Sequence, residues 1–187
     1  VISHMGQQVG RILAALRSTG RAENTLVIFT SDQGLAVGSH GLRGKQNMYD
    51  HTVGTPLIFA GPGIPSDRRS GAQCYLRDMY PTVCDLAGIA IPKTVEGRSL
   101  APVLRGKAKS VYPAVFGCWS DCQRMVRTER FKLIHYPKIG RWQLFDLARD
   151  PRETNDLADS PFHRDVLADL KARLAAWQRE SGDPLAK

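Results

Sequence analysis

A carboxylate and a side-chain amide stand side by side at Asp32 and Gln33, shortly after an apolar run of the sequence. Both side chains offer oxygen atoms, which are the ligands that Ca²⁺ and Mg²⁺ prefer and that soft metals bind poorly. Lys45 follows thirteen residues after Asp32 and supplies a cation that can bind an anion held beside such a metal. The three residues together predict a site for a divalent cation and an oxyanion.

The segment between these residues is rich in glycine, with Gly34, Gly38, Gly41 and Gly44 placed around His40. Glycine allows backbone conformations closed to bulkier residues and lets the chain pass close to a ligand. A histidine in such a loop has two readings, one as a catalytic group and one as a residue that pins the loop through hydrogen bonds. Taken alone, Asp-Gln-Gly after a strand is also typical of an ordinary polar turn.

The element that must position Asp32 and Gln33 is a strand. Residues 26–29 are Leu-Val-Ile-Phe, an unbroken apolar run typical of a strand that is covered on both faces in a parallel sheet. Ligands in open α/β sheets bind at the carboxyl ends of the strands, which is where the two polar residues follow. Apolar spacing predicts a helix with one buried face over residues 3–18, and a second buried strand over residues 55–60.

The ordered combination of SDQG, GSHGLRGK and MYDHTVGTPLIFAGPGIP resembles the second half of the catalytic domain of type I sulfatases, within the alkaline phosphatase superfamily. The resemblance is closest to the branch of iduronate-2-sulfatase and choline-sulfatase-like enzymes, and it extends from about residue 5 to the C-terminus. It implies that Asp32 and Gln33 bind the active-site calcium, with Ca²⁺ favoured over Mg²⁺. It also implies that Lys45 contacts the sulfate group and that His40 is a second catalytic candidate.

The resemblance implies an α/β fold with two parts. Residues 1–106 correspond to the C-terminal half of an alkaline-phosphatase-like α/β/α sheet domain, and residues 107–187 to a small α+β subdomain of antiparallel sheet and helix. The pattern of the second part agrees, because short runs separated by turns between residues 112 and 147 predict an antiparallel meander. The apolar stripe of Leu170 and Leu174 predicts a last helix that packs on this meander.

A further helix is predicted to begin near Asp78, with the Asp78 side chain as its cap. Its apolar residues Met79, Val83 and Leu86 are spaced to share one face, which is predicted to be buried. Gly88 is predicted to end the helix. This helix is expected to be scaffold.

The sulfatase nucleophile is a formylglycine made from the Cys or Ser of a C/S-x-P-S-R segment, and this sequence contains no such segment. We therefore expect formylglycine in an N-terminal part that precedes this sequence, and we expect this chain alone to be inactive. The implied function is part of a sulfatase that hydrolyses sulfate esters. Two alternatives stay open: a phosphonate or phosphodiester hydrolase of the same superfamily, and a non-catalytic module that binds sulfated glycans.

Composition narrows the classes of partner. The formal net charge is +8, but the lysines and arginines are scattered and form no nucleic-acid motif. No apolar run approaches the roughly 20 residues that span a bilayer. We therefore expect a sulfated small molecule or carbohydrate as partner, neither nucleic acid nor membrane, and self-association into a homo-oligomer through an exposed sheet edge.

The four cysteines, at positions 74, 84, 118 and 122, lack the ligand spacing of a zinc site. A local disulfide and free thiols both fit their positions. The sequence leaves the compartment open, and only the family resemblance implies an exported protein.

Overall fold

The computed structural model describes residues 1–186, which form two compact units. The first unit comprises residues 1–31 and 56–69, and the second comprises residues 32–55 together with the chain from residue 70 onward. The predicted boundary between residues 106 and 107 lies inside the second unit. The division into a catalytic part and a C-terminal subdomain therefore stays a prediction.

The first unit contains a helix and a two-stranded sheet. Strand β1 (Val27–Thr30) pairs with strand β2 (Leu57–Ala60) in antiparallel register, with Val27 opposite Ala60. All four residues of β1 are half-buried. The prediction of a strand covered on both faces in a parallel sheet is therefore wrong within this chain, because an apolar run specifies burial but not the direction of the neighbouring strand.

Helix α1 (Ile2–Ser18) confirms the predicted helix, which Gly20 follows with a left-handed backbone. None of its residues is fully buried in this chain, and Ile12 is 69% exposed while Leu13 is half-buried. The predicted buried face is thus absent within this chain. Helical periodicity identifies which side of a helix is apolar, but it does not supply the surface that covers that side.

The second unit is built around a four-stranded antiparallel sheet. Its strands are β3 (Val115–Trp119), β4 (Gln123–Arg127), β5 (Phe131–Tyr136) and β6 (Arg141–Asp146), which lie in chain order. This arrangement confirms the predicted meander. The α-helices of this second unit are α2 (Asp50–Val53), α3 (Met79–Ala87), α4 (Ala101–Leu104) and α5 (Arg164–Glu180).

Both faces of this sheet are covered. On one face, Val126, Leu133 and Leu144 pack against Leu170 and Leu174 of α5, which confirms the predicted packing of the last helix. Successive residues of a strand point to opposite faces. Each fully buried leucine contributes about 1.5–3 kcal/mol relative to an exposed one, so this contact stabilises the unit.

The opposite face of the sheet carries Met125 and Ile134, the strand neighbours of the residues that face α5. They form a second apolar cluster with Met48, Tyr49 and Phe145. Because Met48 and Tyr49 come directly before α2, the cluster attaches the segment that follows Lys45 to the sheet.

The predictions for the helix near Asp78 were right in extent and wrong in detail. Helix α3 ends at a left-handed Gly88 as predicted, but its buried residues are Pro81, Thr82 and Cys84, while Val83 is 38% exposed. Thr82 is tolerated in the interior because its hydroxyl donates to the Asp78 carbonyl at 2.6 Å and accepts from the Leu100 N–H at 2.8 Å.

Asp78 itself does not cap α3. Its carboxylate is fully buried and accepts hydrogen bonds from the backbone N–H groups of Tyr75 (2.7 Å) and Arg98 (2.9 Å) and from the hydroxyl of Tyr112 (2.8 Å). A buried carboxylate is stable when several donors satisfy it. Asp78 therefore ties three separate segments of the second unit together.

All four cysteines are free thiols, which decides between the two readings left open by the sequence. Cys84 is buried, Cys118 is exposed, and burial raises the pKa of the Cys74 thiol. Among residues 1–186, no helix is both long enough and apolar enough to cross a bilayer.

Candidate functional site

The glycine-rich loop after Gln33 folds back on itself. The backbone N–H of Ala36 donates to the carbonyl of Gly44 at 3.0 Å, and that of Gly38 donates to the carbonyl of Leu42 at 2.7 Å. Gly38 turns the chain with a left-handed backbone (φ +98°) that favours glycine. These hydrogen bonds fold the loop back on itself, so that Gly44 and the adjoining Lys45 lie beside Ala36. Ala36 is only four residues after Asp32 in the sequence.

The start of the loop is held against α2. The N–H of Gly34 donates to the carbonyl of Thr52 at 2.7 Å, and a Cβ atom at position 34 would collide with the carbonyl oxygen of His51. Only glycine fits such a close backbone approach. The backbone that follows Asp32 and Gln33 is therefore fixed at a defined point on α2.

The predicted site residues lie at the surface of the second unit. The side chains of Asp32 and Lys45 are exposed and that of Gln33 is half-buried. A carboxylate and an amide oxygen fit a hard cation, but Ca²⁺ takes six to eight oxygen ligands. Within residues 1–186, no group of three or more His, Cys, Asp and Glu side chains is arranged to hold a metal ion. The donor chemistry of Asp32 and Gln33 thus suits a hard cation such as Ca²⁺, and their role as metal ligands stays a prediction.

His40 lies at the tip of the loop and is held by two contacts. Its ring stacks on Tyr49, with centroids 3.9 Å apart and planes 11° apart, and its Nε2 atom lies 3.0 Å from the carbonyl oxygen of Arg152. Because a carbonyl only accepts hydrogen bonds, Nε2 carries the proton. The two contacts pin the loop, and the catalytic role of His40 stays a prediction.

His51 continues this aromatic group on α2. Its ring centroid lies 5.3 Å from that of His40 and 5.6 Å from that of Tyr49. Burial lowers the pKa of His51, and the neighbouring His40 and Lys132 lower it further, against the opposite effect of Asp50. His51 is therefore uncharged at neutral pH.

The structure reveals a buried charge cluster that sequence analysis missed. Lys132, the second residue of β5, has no solvent exposure, and its Nζ atom lies 2.6 Å from Oδ1 of Asp50 and 2.7 Å from Oε1 of Glu153. Arg127 on β4 reaches Oδ2 of Asp50 at 3.2 Å. The available signal was a lysine between Phe131 and Leu133 in an apolar strand, a position where an unpaired charge would be too costly.

The charges in this cluster compensate one another. Burial opposes the ionisation of Asp50, but Lys132 and Arg127 beside it hold the pKa of that carboxyl below its usual range. The Asp50 carboxylate is therefore charged at neutral pH. Its own backbone N–H donates to Oε2 of Glu153 at 2.6 Å, so Glu153 binds both the lysine and the start of α2.

Residues 38–180, more than half of the chain, match the family described as N-sulphoglucosamine sulphohydrolase, C-terminal. The chain belongs to the sulfatase family. This sulfatase chain is 38% identical over 191 residues to delta 4,5-hexuronate-2-O-sulfatase of Bacteroides thetaiotaomicron, in an alignment that covers 96% of this chain and 40% of that protein. The resemblance drawn from the sequence motifs is confirmed.

Solved structures confirm the α/β fold of the sulfatase chain. It matches one determined in complex with its substrate, D-glucosamine-2-N,6-O-disulfate, with a TM-score of 0.87 and 30% identity, over 96% of this chain and 39% of that one. It matches phosphonate monoester hydrolase of Agrobacterium radiobacter with a TM-score of 0.80 and 29% identity, over 96% of this chain and 40% of that one. The sulfatase chain thus spans about two fifths of the length of these relatives.

Proposed function

We propose that this chain supplies the calcium-binding and sulfate-binding end of an enzyme that hydrolyses sulfate esters of carbohydrates. In this proposal the formylglycine nucleophile resides in a part of the polypeptide outside this sequence. The observation that carries the proposal is the hydrogen bond between Ala36 and Gly44, because it returns Lys45 toward the segment of Asp32 and Gln33. The relatives that act on sulfated sugars support a carbohydrate substrate.

The proposed roles follow from the chemistry of the side chains. Asp32 and Gln33 would hold the cation through a carboxylate and an amide oxygen. A bound Ca²⁺ supplies positive charge next to the sulfate oxygens. Lys45 would bind the same oxyanion with its ammonium group and offset the negative charge that develops on the leaving oxygen. Gln33 contributes an oxygen ligand without adding charge to the site.

The experiment that tests these roles uses the full-length gene product and a panel of sulfated sugars and aryl sulfates. Lys45→Ala is expected to lower kcat/KM by about 10²–10³-fold, the usual effect of removing one group that stabilises an oxyanion in the transition state. Asp32→Asn is expected to raise the calcium concentration needed for half-maximal activity. Lys93→Ala, which removes an exposed lysine elsewhere, is the matched control.

The proposal fails if Lys45→Ala and Lys93→Ala have equal activity. His40→Ala and His40→Gln test the second catalytic candidate, since a proton-transfer role predicts that kcat falls in both and loses its pH dependence. The purified chain of residues 1–187 is expected to hydrolyse no sulfate ester. Robust turnover by that chain would contradict the assignment of the nucleophile to another part of the polypeptide.

A phosphonate monoester hydrolase is the second candidate, favoured by the likeness to the Agrobacterium radiobacter enzyme. The same oxygen ligands and lysine suit a phosphonate oxyanion as well as a sulfate. Rates of the full-length product on matched sulfate and phosphonate esters would separate the two. A non-catalytic glycan-binding module would bind sulfated oligosaccharides without turnover, and its gene would lack an upstream C/S-x-P-S-R segment.

Self-association also stays a proposal. Light scattering of the purified protein in a reducing buffer would show a mass above that of one chain, and a monomer would contradict it.

A further inference from the structure

We infer that Glu153 is a positioning residue that, together with Lys132 and Asp50, holds the loop that carries Lys45. This inference rests on the proposed function, because Lys45 is there the group that binds the oxyanion. Its structural basis is the turn at residues 150–155. This turn contacts the loop at one point before Lys45 in the sequence and at one point after it.

The first contact lies before Lys45. The carbonyl oxygen of Arg152 accepts a hydrogen bond from Nε2 of His40 at 3.0 Å, and the same ring is stacked on Tyr49. The imidazole is therefore held both by its edge and by its face. This contact fixes the loop five residues before Lys45.

The second contact lies after Lys45. The Glu153 carboxylate accepts the backbone N–H of Asp50 at 2.6 Å and pairs with Lys132 at 2.7 Å, while Lys132 also pairs with the Asp50 side chain at 2.6 Å. The Lys132 side chain is 0% exposed and that of Glu153 is 2% exposed. Charge-assisted bonds are shorter and stronger than neutral ones, and their strength rises when water is excluded. The loop is thus fixed five residues after Lys45 as well.

The turn that makes both contacts is braced by hydrogen bonds of its own. The Asp150 carboxylate accepts hydrogen bonds from the hydroxyl of Thr154 at 3.1 Å and the N–H of Asn155 at 2.8 Å. A rigid support is what a binding group needs, because a displacement of about 1 Å can cost about 10²-fold in rate.

A residue at each of the two contact points has a strained backbone. Glu153 has φ +57° and His40 has φ +54°, both in the left-handed region that non-glycine residues adopt at a cost of about 1–3 kcal/mol. Strain of this kind persists only where the surrounding contacts determine it. Here the contacts are those that join the turn to the loop.

The test compares Glu153→Gln with Glu180→Gln, an exposed control, in the full-length protein. The glutamine keeps the size of the side chain and removes the charge that compensates Lys132. The first readout is the rate of hydrogen–deuterium exchange at the C2 position of each histidine, measured by mass spectrometry. We expect His40 to exchange several-fold faster in Glu153→Gln, with His4 unchanged as an internal reference.

The second readout is kinetic. Glu153→Gln is expected to lower kcat/KM for a sulfate ester by about 10–100-fold, the usual range for residues that orient a directly acting group. Lys132→Met must reproduce both changes, because it removes the other half of the pair. A lower melting temperature with unchanged His40 exchange and unchanged kcat/KM would show that the cluster only stabilises the fold, and it would overturn the inference.

Failure of the proposed function gives a different result. If the wild-type protein hydrolyses no sulfate ester, the proposed function fails, and the His40 exchange comparison still decides whether Glu153 holds the loop. If Glu153→Gln does not fold, Asp150→Asn loosens the same turn by removing its internal acceptor. That variant is expected to change both readouts in the same direction with smaller amplitude, and no change in His40 exchange would again overturn the inference.

Discussion

The ammonium group of Lys132 lies 2.7 Å from the carboxylate of Glu153, and water has almost no access to either side chain. The two residues come from β5 and from the turn after β6, so the pair joins elements that are separate along the chain. A buried ion pair adds little net stability over an apolar pair, because desolvation offsets the attraction, but breaking it is costly. We therefore expect the pair to favour one arrangement of these elements over others, rather than to add net stability.

The first prediction concerns the stability of this cluster. Lys132→Met should lower the free energy of unfolding by about 3–5 kcal/mol, because it leaves the carboxylates of Asp50 and Glu153 without their shared cation. Urea unfolding followed by circular dichroism measures the change. In a double-mutant cycle, the variant that carries both Lys132→Met and Glu153→Gln should lose less free energy of unfolding than the two single variants lose in sum. Strict additivity would show that the two side chains are not coupled.

The second prediction concerns acid stability. Arg124 binds both carboxylate oxygens of Asp183, at 2.6 and 2.9 Å, and this hydrogen bonding lowers the pKa of Asp183 from its usual value of 3.8. Because the folded-state pKa is depressed, the pair contributes stability above about pH 4 and loses it as the pH falls further. Asp183→Asn should therefore be less stable than wild type at pH 6, with a difference that shrinks toward pH 2.5.

Unfolding in urea across that pH range is the measurement. Asp169→Asn is the matched control, since Asp169 forms an exposed pair with Arg173. Such surface pairs contribute about 0–1 kcal/mol. An equal pH dependence in Asp183→Asn and Asp169→Asn would contradict the prediction.

The third prediction concerns the close approach at Gly34. Gly34→Ala should destabilise the protein by about 1–3 kcal/mol, the usual cost of forcing an extra group into packed structure, because the new Cβ meets the carbonyl of His51. Gly10→Ala provides the opposite control. Gly10 lies in α1 with open space around it, so alanine at this position should raise the free energy of unfolding by about 0.5–1 kcal/mol. Thermal unfolding of the two variants should therefore shift in opposite directions.

The fourth prediction concerns alkaline stability. Burial and the hydrogen bond to Asp78 raise the pKa of Tyr112 to about 12. Because the folded-state pKa lies above the usual value of 10, this contribution to stability is complete below pH 10 and is lost as the pH rises toward 12. Tyr112→Phe should be less stable than wild type at pH 7, by about 1–3 kcal/mol for the donor lost by a buried acceptor.

The difference between Tyr112→Phe and wild type should shrink between pH 10 and pH 12. Denaturant unfolding at several alkaline pH values tests this. Tyr80→Phe is the control, because Tyr80 is 56% exposed and its change should leave the pH dependence as in wild type. If the difference in free energy of unfolding between Tyr112→Phe and wild type stays constant across this pH range, the ionisation of Tyr112 is not linked to stability.

The parts of the fold that sequence patterns predicted are those with a local cause. The meander from β3 to β6 follows from alternating strands and turns, and α5 follows from apolar residues at helical spacing. The antiparallel pairing of β1 with β2 did not follow. An apolar run is consistent with either direction, and the choice depends on contacts between residues about 30 positions apart.

The candidate site divides in the same way. Asp32, Gln33 and Lys45 were found because their types and spacing match a motif, and the return of the loop depends on nearby glycines. The cluster around Lys132 was missed because its partners are distant in the chain, with Asp50 82 residues before it. Asp50 and Glu153, seen alone in the sequence, cannot be distinguished from ordinary surface carboxylates. Only the tertiary fold brings them together with Lys132, so that the opposite charges offset the free-energy cost of burying them.

The exposed thiol of Cys118 has a practical consequence for handling the protein. It can be conjugated to a maleimide dye without engineering, whereas Cys84 is buried and shielded from the reagent. Because this thiol is exposed, air oxidation can couple two molecules through Cys118 into a covalent dimer on non-reducing gels. Such an artefact would mimic genuine association, so freshly reduced samples or a Cys118→Ser background are required before any oligomer is credited to the fold.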